Sequence, residues 1–350
     1  MKQNTLPLPE LTRNDAENPA DLAYWVAELL RDELVVGVMN TSAFKRLDGI
    51  SFLGALDYTL PDRCTSSSRA RHSLEVAALA SYVATQRNYS REHKRHLVIA
   101  ALLHDVGHAP LSHSAEPFIK QHLGYGHHQA GENILRGKHV LGRELSKLLN
   151  SHTEKEFVIQ LIDQKARPGD GGDLFSSAIN IDTIDGIVRS FASMTGKPMN
   201  QVASRLAIAN DAFASCNVSA RSSLDSFWRM KQEVYSRLIN SHIGFLADKT
   251  SEQFFIENSA SFAESDLYAE EKTWKKSFSG LFERFSAIKK SQKTPDSLFW
   301  YSVSYTSRHY KVDQSLPGLA RYTCERQRKE YTFKADTALI ATPGQLSIGL

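Results

Sequence analysis

The chain of 350 residues contains little cysteine and no long apolar run. Its three cysteines, Cys64, Cys216 and Cys324, form no Cys-x-x-Cys pair, which disfavours both a disulfide framework and a thiolate zinc site. The longest apolar stretches, such as 98–103, are far shorter than a bilayer span, and the N-terminal residues have no apolar signal core. We therefore expect a cytoplasmic protein with no membrane partner.

Neither sign of charge dominates the composition. The sequence has 42 Lys and Arg against 39 Asp and Glu, for a net charge of +3. This balance permits an anionic ligand, but it lacks the concentrated basicity of a dedicated nucleic-acid binder. There is also no repeat of fixed period and no low-complexity tract, which argues against a solenoid or a disordered chain.

Apolar residues recur at helical spacing through the first three-quarters of the chain and then alternate from about Leu298. The spacing predicts helices over 19–35, 69–86 and 91–105, and the alternation predicts a small antiparallel sheet. The fold class is therefore mainly α, with a helical core, additional C-terminal helices and a small antiparallel β region. We expect an N-terminal helical segment over 1–39, a catalytic core over 40–200, a helical extension over 201–294 and a β-containing region over 295–350.

Four polar residues lie at helical positions inside apolar surroundings: His72, His104, Asp105 and Asp182. Burying such groups without partners would cost several kcal/mol, so a shared ligand explains them better than chance does. Three helices that supply two imidazoles and two carboxylates would leave coordination positions open for water and a phosphate oxygen. The sequence therefore predicts a divalent metal site and a phosphohydrolase. The ligand types accept manganese, magnesium, iron, nickel or zinc.

A second group of titratable residues follows the predicted ligands in a loop-rich stretch: His108, His113, Glu116 and His128. A histidine or glutamate near the leaving-group oxygen can donate a proton when its pKa lies near the working pH. These four residues are our candidate catalytic residues. For His108 and His113, orientation of the metal ligands is an equally good interpretation.

Arg69 precedes His72 by three residues, which places it one helical turn away on the same side of the helix. A guanidinium at that position could bind a phosphate through two parallel hydrogen bonds. The alternative is an ordinary surface salt bridge, which this position makes less favourable.

Four sequence segments together resemble the HD-domain phosphohydrolase superfamily, and within it the deoxynucleoside triphosphate triphosphohydrolases. The segments are SRARHSLEVA, ALLHDVGHAPLSH, GHHQAGENI and NIDTIDGIVRS, and the resemblance extends over about 40–260. It implies that the core over 40–200 is an HD domain. It also implies that water attacks the α-phosphorus of a nucleotide and releases nucleoside and triphosphate.

The resemblance also implies roles for individual residues. It implies that the metal is bound by His72, His104, Asp105 and Asp182. It implies that Arg69 and His128 contact phosphate and that His128 is the general acid. It also implies that His108 and His113 line the site. Glu116 stands where that family tends to have an aspartate. Family members commonly form homo-oligomers, which we expect here as well.

Three positions depart from the family pattern at places that recognise the sugar. Phe52 replaces a glutamine, Gly186 a tyrosine and Ser190 an aspartate. Replacing tyrosine with glycine opens space, so the site could accept ribose or a larger ligand. An HD-type phosphodiesterase or nuclease acting on cyclic nucleotides, oligonucleotides or single-stranded nucleic acid is therefore the main alternative. A nucleotide sensor without turnover is a second one.

Overall fold

The computed structural model describes residues 17–60, 67–214, 222–291 and 293–334. These residues are mainly helical, as predicted, and the strands come last. The α-helices are α1 (Leu22–Leu29), α2 (Glu33–Asn40), α3 (Ser42–Lys45), α4 (Leu56–Thr59), α5 (Arg69–Gln86), α6 (Arg91–Leu103), α7 (Glu116–Leu123), α8 (His127–Leu135), α9 (Arg143–His152), α10 (Lys155–Ile162), α11 (Asp173–Ser176), α12 (Ile181–Thr195), α13 (Met199–Val202), α14 (Arg205–Ala209), α15 (Ser222–Val234), α16 (His242–Glu257), α17 (Glu264–Leu267), α18 (Glu271–Ser277) and α19 (Ser279–Ser291), and the strands are β1 (Ser302–Val312) and β2 (Tyr322–Thr332).

Helix α5 lies in the middle of the core and positions the first predicted ligand. The Ser68 hydroxyl caps it by accepting a hydrogen bond from the Arg71 amide at 3.2 Å. Apolar side chains such as Leu74 and Leu79 are buried around the helix, which packs against α1, α6 and α12. A helix that is apolar on several faces belongs inside a domain. The helix predicted over 69–86 is confirmed.

Two helix ends bring the remaining predicted ligands to α5. Helix α6 ends at Leu103, two residues before the end predicted over 91–105, so His104 follows its last turn. Helix α12 begins at Ile181, after the Asn180 side chain accepts a hydrogen bond from the Thr183 amide at 2.7 Å. This cap sets where the first turn of α12 lies and hence where Asp182 stands.

The helix predicted over 19–35 is wrong in its extent. The chain instead forms α1 and α2, each with its own aspartate cap. The Asp32 carboxylate accepts hydrogen bonds from the amides of Leu34 and Val35 at 2.9 and 3.1 Å, which starts a new helix in the middle of the predicted one.

The predicted antiparallel sheet is confirmed as a hairpin of β1 and β2, paired from Ser302 opposite Thr332 to Val312 opposite Tyr322. It packs against α15, where the Trp228 indole N–H donates to the Thr323 carbonyl at 3.1 Å. The predicted β region extends to residue 350, and 335–350 lie outside the described residues.

Cys324 is a free thiol on β2, whereas Cys64 and Cys216 lie outside the described residues. A search of the described helices for one long and apolar enough to cross a membrane found none.

Candidate metal centre

His72 is buried in the first turn of α5 and is held from both edges of its ring. Its Nδ1 lies 2.6 Å from Oδ2 of Asp185, and its Nε2 lies 3.1 Å from Oδ1 of Asp182. Both aspartates stand on α12, one turn apart. If Nδ1 carries the proton to Asp185, the Nε2 lone pair faces the Asp182 carboxylate, an arrangement that requires a proton or a cation between them.

His104 presents a nitrogen without a partner to the same space. Its Nδ1 lies 2.7 Å from the Ala101 carbonyl oxygen, which only a protonated Nδ1 can satisfy. Its Nε2 is buried and has no hydrogen-bond partner among the described residues. This nitrogen lies 3.4 Å from Oδ1 of Asp105 and 3.7 Å from Oδ1 of Asp182. A buried lone pair that faces two carboxylates is typical of a histidine that ligates a metal.

The donor set fits a divalent cation. Ligand atoms of His72, His104 and Asp182 all lie within 4.8 Å of one another, and Asp105 completes the predicted set beside them. Burial opposes protonation of His104, but the Asp105 and Asp182 carboxylates outweigh it and raise its pKa to about 9. The site thus attracts positive charge strongly enough to hold protons on imidazoles. A divalent ion would replace those protons.

Asp105 is fixed by a guanidinium as well as by histidines. Burial alone would raise its pKa, but Arg69, His104 and His108 hold the pKa of Asp105 well below its ordinary value. Arg69 is itself buried, and its three nitrogens bond to Asp105, to the Ser112 hydroxyl at 2.6 Å and to the Phe52 carbonyl at 3.2 Å. In these contacts Arg69 orients Asp105, and its predicted phosphate contact stays a prediction.

A buried ionic network stands behind His72 and explains how Asp185 stays charged. The Asp185 carboxylate accepts a hydrogen bond from Nε of Arg189 at 2.9 Å and another from Arg205 of α14. Both arginines also form ion pairs with Glu75 of α5, and the distance from Arg189 to the Glu75 carboxylate is 2.7 Å. The two arginines lower the pKa of Asp185 well below its ordinary value despite its complete burial. Asp185 therefore acts as an anionic acceptor for His72.

A second cluster adjoins the first through Asp105. Nε2 of His108 lies 3.2 Å from Oδ1 of Asp105, and the His108 ring stacks on His127 at 4.1 Å between centroids. Glu116 lies 2.5 Å from Nδ1 of His127 and 3.3 Å from Nδ1 of His113. Nitrogens of the three histidines lie within 4.8 Å of one another, so this cluster could hold a second ion.

The structure thus brings together all four predicted metal ligands, Arg69 and three of the four predicted catalytic residues. The fourth, His128, lines the pocket but is exposed, and its neighbour His127 occupies the contact with His108 and Glu116. The sequence predictions did not identify His127 as a site residue. The adjacent His127 and His128 were the only feature of the sequence that could have indicated it. The predictions also assigned no role to Asp185, which the sequence places one turn after Asp182.

A cavity of about 480 Å³ opens beside the metal ligands. Its apolar wall includes Phe52, Phe175 and Ile187, and its far side comes from the later helices through Tyr235 and Asp248. Cavities of this size and mixed lining suit small organic ligands.

The three positions that depart from the family pattern all line this cavity. A Cβ added to Gly186 would lie 3.5 Å from Cζ of Phe52 and 3.9 Å from Oδ1 of Asp182, both ordinary contact distances. A methyl group at position 186 would therefore fit in ordinary van der Waals contact with its neighbours. Ser190 lies one turn further along α12 and is buried.

Comparison with known proteins agrees with this geometry. Residues 69–186, which contain every predicted metal ligand, match the HD domain family. Three curated proteins are similar to the chain: an uncharacterized protein of Methanocaldococcus jannaschii (28% identical over 46% of the chain), the deoxynucleoside triphosphate triphosphohydrolase SAMHD1 homolog of Dictyostelium discoideum (24% over 45%) and the uncharacterized protein YwfO of Bacillus subtilis (30% over 46%). The matched region spans 31%, 33% and 36% of their respective lengths, about a third in each case.

A solved structure is similar over most of the chain. The crystal structure of a hypothetical protein from Aquifex aeolicus superposes with a TM-score of 0.59, covering 86% of this chain and 92% of that one. At 14% identity the likeness shows the fold alone. Residues 69–186 of the chain therefore contain an HD domain, in which His72, His104 and Asp182 lie close enough together to hold a metal ion.

Proposed function

We propose that the chain is a metal-dependent phosphohydrolase of nucleotides. The observation that carries the proposal is the buried Nε2 of His104, which has no hydrogen-bond partner in the part of the chain that the structure describes. This nitrogen faces Asp105 and Asp182 beside Nε2 of His72. The residues that would hold the metal are His72, His104, Asp105 and Asp182. When bound there, a divalent cation polarises a phosphoryl oxygen and activates water.

The other polar residues have distinct tasks in this proposal. Glu116 engages Nδ1 of His127, so His127 exchanges its proton with substrate through Nε2. Burial and the Arg69 charge lower the pKa of His108 well below its ordinary value, which keeps its imidazole neutral beside Asp105. His127 is therefore the member of the stacked pair that can deliver a proton to a leaving-group oxygen. Arg69 keeps Asp105 oriented throughout.

The leading substrate class is a nucleoside or deoxynucleoside triphosphate, cleaved to nucleoside and triphosphate. The four segments that resemble the triphosphohydrolases support it, as does the similarity to the triphosphohydrolase homolog of Dictyostelium. The cavity volume of about 480 Å³ accommodates a ligand of nucleotide size.

One observation favours a second candidate, hydrolysis of a phosphodiester. Among the described residues, a Cβ added to Gly186 would have only Phe52 and Asp182 within 4 Å, and no aromatic side chain at position 186 closes this part of the wall. An opening beside the metal ligands would let a longer substrate pass the reacting phosphate. Cyclic nucleotides, oligonucleotides and single strands belong to this class.

The test is a product analysis of the full chain loaded with manganese and, separately, magnesium. Deoxynucleoside and ribonucleoside triphosphates, cyclic nucleotides and short single strands would each be incubated, and products identified by liquid chromatography and mass spectrometry. Nucleoside plus triphosphate would support the leading class, and cleavage of diesters alone would support the second.

The matched controls are Asp105→Ala, which removes a predicted ligand, and His96→Ala, which removes a histidine outside the site. We expect the first variant to lose turnover and the second to retain it. Turnover that survives in folded Asp105→Ala would overturn the proposed site. Nucleotide binding by the wild-type chain without turnover under either metal would instead indicate a sensor.

A further inference from the structure

The pocket has one wall that belongs to the C-terminal half of the chain and departs from regular helix. Residues Tyr235–Ile239 form a π-helix directly after α15, and both end residues line the pocket. The π-helical turn is rare and occurs frequently at functional sites. It turns the half-buried ring of Tyr235 toward the same cavity as the metal ligands.

The hairpin brings two guanidinium groups to the outer side of this wall. Cζ of Arg308 lies 5.0 Å from the centroid of the Tyr235 ring, and Arg326 stands directly opposite Arg308 in the strand register. Like charges placed directly opposite on neighbouring strands are destabilising. Within the described residues, neither guanidinium has an ion pair or a hydrogen bond. The pair is therefore available to an anion.

A third cation lies nearby among aromatic rings. Nζ of Lys231 is 5.0 Å from the Trp228 ring and 5.1 Å from the Tyr310 ring, and it donates to the Ala178 carbonyl at 3.1 Å. Burial, together with the charges of Arg308 and Arg326, lowers the pKa of Lys231 to about 8. Both arginines therefore lie close enough to Lys231 to act on it electrostatically.

We propose that Arg308 and Arg326, together with the Tyr235 ring, form a subsite for single-stranded nucleic acid that leaves the pocket past Tyr235. The guanidinium groups would bind backbone phosphates, and Tyr235 would stack with a base. Proteins bind single strands through this combination of a positive track and aromatic platforms. The inference rests on the proposed function in its phosphodiester form.

The position of Tyr235 argues for a strand rather than a separate nucleotide. One face of the wall lines the cavity that holds the metal ligands, and the ring itself contacts Arg308. A ligand with one phosphate at the metal ligands and another at the arginines must therefore be continuous past Tyr235. An oligonucleotide is continuous in this way and can present a phosphate to each of the two places.

The test measures binding of a fluorescein-labelled oligothymidylate of about twelve nucleotides, a length within the range of single-strand sites, by fluorescence anisotropy. The full chain would be used in EDTA, so that no turnover interferes. The variant is Arg326→Gln, because that side chain is exposed and its loss should leave the fold intact. Lys329→Gln is the control, since it removes the same charge from the same strand on the alternate face.

We expect Arg326→Gln to bind several-fold more weakly, with a salt dependence shallower by about 0.7 for the lost phosphate contact. Lys329→Gln should match the wild-type chain in both affinity and salt dependence. Wild-type affinity in Arg326→Gln, or no binding by the wild-type chain, would overturn the inference. So would competition by a mononucleotide as effective as that by the strand, because it would indicate a separate nucleotide site.

Failure of this inference is distinguishable from failure of the proposed function. The binding assay contains no metal and involves no catalysis, whereas the product analysis requires both. Metal-dependent hydrolysis by the wild-type chain together with unchanged strand binding by Arg326→Gln would reject the subsite and keep the enzyme.

Discussion

Nδ1 of His72 lies 2.6 Å from the Asp185 carboxylate, on the edge of the ring opposite the one that faces Asp182. Because Asp185 remains an anion between two arginines, it accepts the imidazole proton and directs the Nε2 lone pair into the site. A carboxylate behind a ligating histidine fixes the ring orientation and increases its basicity as a ligand.

Replacing Asp185 with asparagine should therefore weaken metal binding. The amide can still accept a hydrogen bond, but it lacks the charge that orients and polarises His72. We expect the dissociation constant for manganese to rise about 10- to 100-fold, measured by competition with a fluorescent chelator. Asp173→Asn, which disrupts an ion pair with Arg87 away from the site, is the control. Equal affinity in the two variants would contradict the role assigned to Asp185.

Replacing His104 with alanine should abolish the stabilisation that metal gives. A ligand at 100 times its dissociation constant adds about 2.7 kcal/mol to the free energy of unfolding of the native state it binds. We expect that increase for the wild-type chain in thermal unfolding with and without metal. His104→Ala should lose the increase. Without metal the variant also loses the bond to Ala101 and the charge contacts with Asp105 and Asp182, so its free energy of unfolding should already be lower than that of the wild-type chain.

His96 provides the matched control for that experiment. It is buried, and its Nε2 accepts a hydrogen bond from the Glu154 amide at 2.9 Å, but it does not line the site. His96→Ala should therefore lower the free energy of unfolding while keeping the increase on adding metal. An increase retained by His104→Ala would exclude that side chain as a ligand.

Replacement of His127 should reduce turnover far more than replacement of His128. His127 stacks on His108 and is bonded to Glu116, whereas His128 is exposed at the rim. We expect His127→Ala to lower kcat about 10²- to 10⁴-fold, as loss of a proton donor does, and His128→Ala to change it less than about tenfold. The measurement is steady-state kinetics on a substrate from the product analysis. The reverse order would restore His128 as the proton donor.

The positions of the candidate metal ligands on their helices could be predicted from sequence because the signals for those helices are local. Asn180 and Ser68 cap the helices that carry Asp182 and His72, and the apolar spacing on either side fixes which way those helices face. The choice between His127 and His128 depends instead on Glu116, eleven residues away on another helix. The local sequence alone does not distinguish the roles of these two adjacent histidines.

The contacts that the C-terminal hairpin makes with the rest of the chain could not be predicted. Arg308 meets Tyr235 because the hairpin docks on α15, and the last turn after α15 is π-helical. The sequence shows a basic, alternating segment and an amphipathic helix, but it does not show that they meet beside the pocket. Similarly, the caps at Asp21 and Asp32 divide a segment whose apolar spacing alone predicts one helix.

Gly186→Ala should stabilise the chain without closing the cavity. Gly186 lies inside α12, where glycine is less favourable than alanine by about 0.5 to 1 kcal/mol. The added methyl would meet only Phe52 and Asp182, at 3.5 and 3.9 Å. We expect urea unfolding to show this gain with kcat nearly unchanged. Gly107→Ala is the contrasting variant, because its Cβ would lie 2.0 Å from the His127 carbonyl oxygen and should destabilise the chain.

The contribution of Asp57 to the stability of the chain should fall as pH rises toward neutrality. This carboxylate accepts a hydrogen bond from the Leu53 amide at 2.9 Å. Burial, with a contribution from Glu271, raises the pKa of Asp57 from 3.8 to about 7. Between those two pH values the folded chain keeps a proton that the unfolded chain has released. The free energy of unfolding therefore decreases with pH across this window, by at most about 1.4 kcal/mol per pH unit from this group.

Asp57→Asn should remove that contribution, since the amide oxygen still accepts from Leu53 but cannot ionise. Urea unfolding at a series of pH values should show a shallower decline for the variant than for the wild-type chain, and a more stable variant above the raised pKa. Asp313→Asn is the control, because the pKa of that exposed carboxylate is lowered and its effect falls below the window. The same decline in Asp57→Asn as in the wild-type chain would show that Asp57 ionises alike in both states.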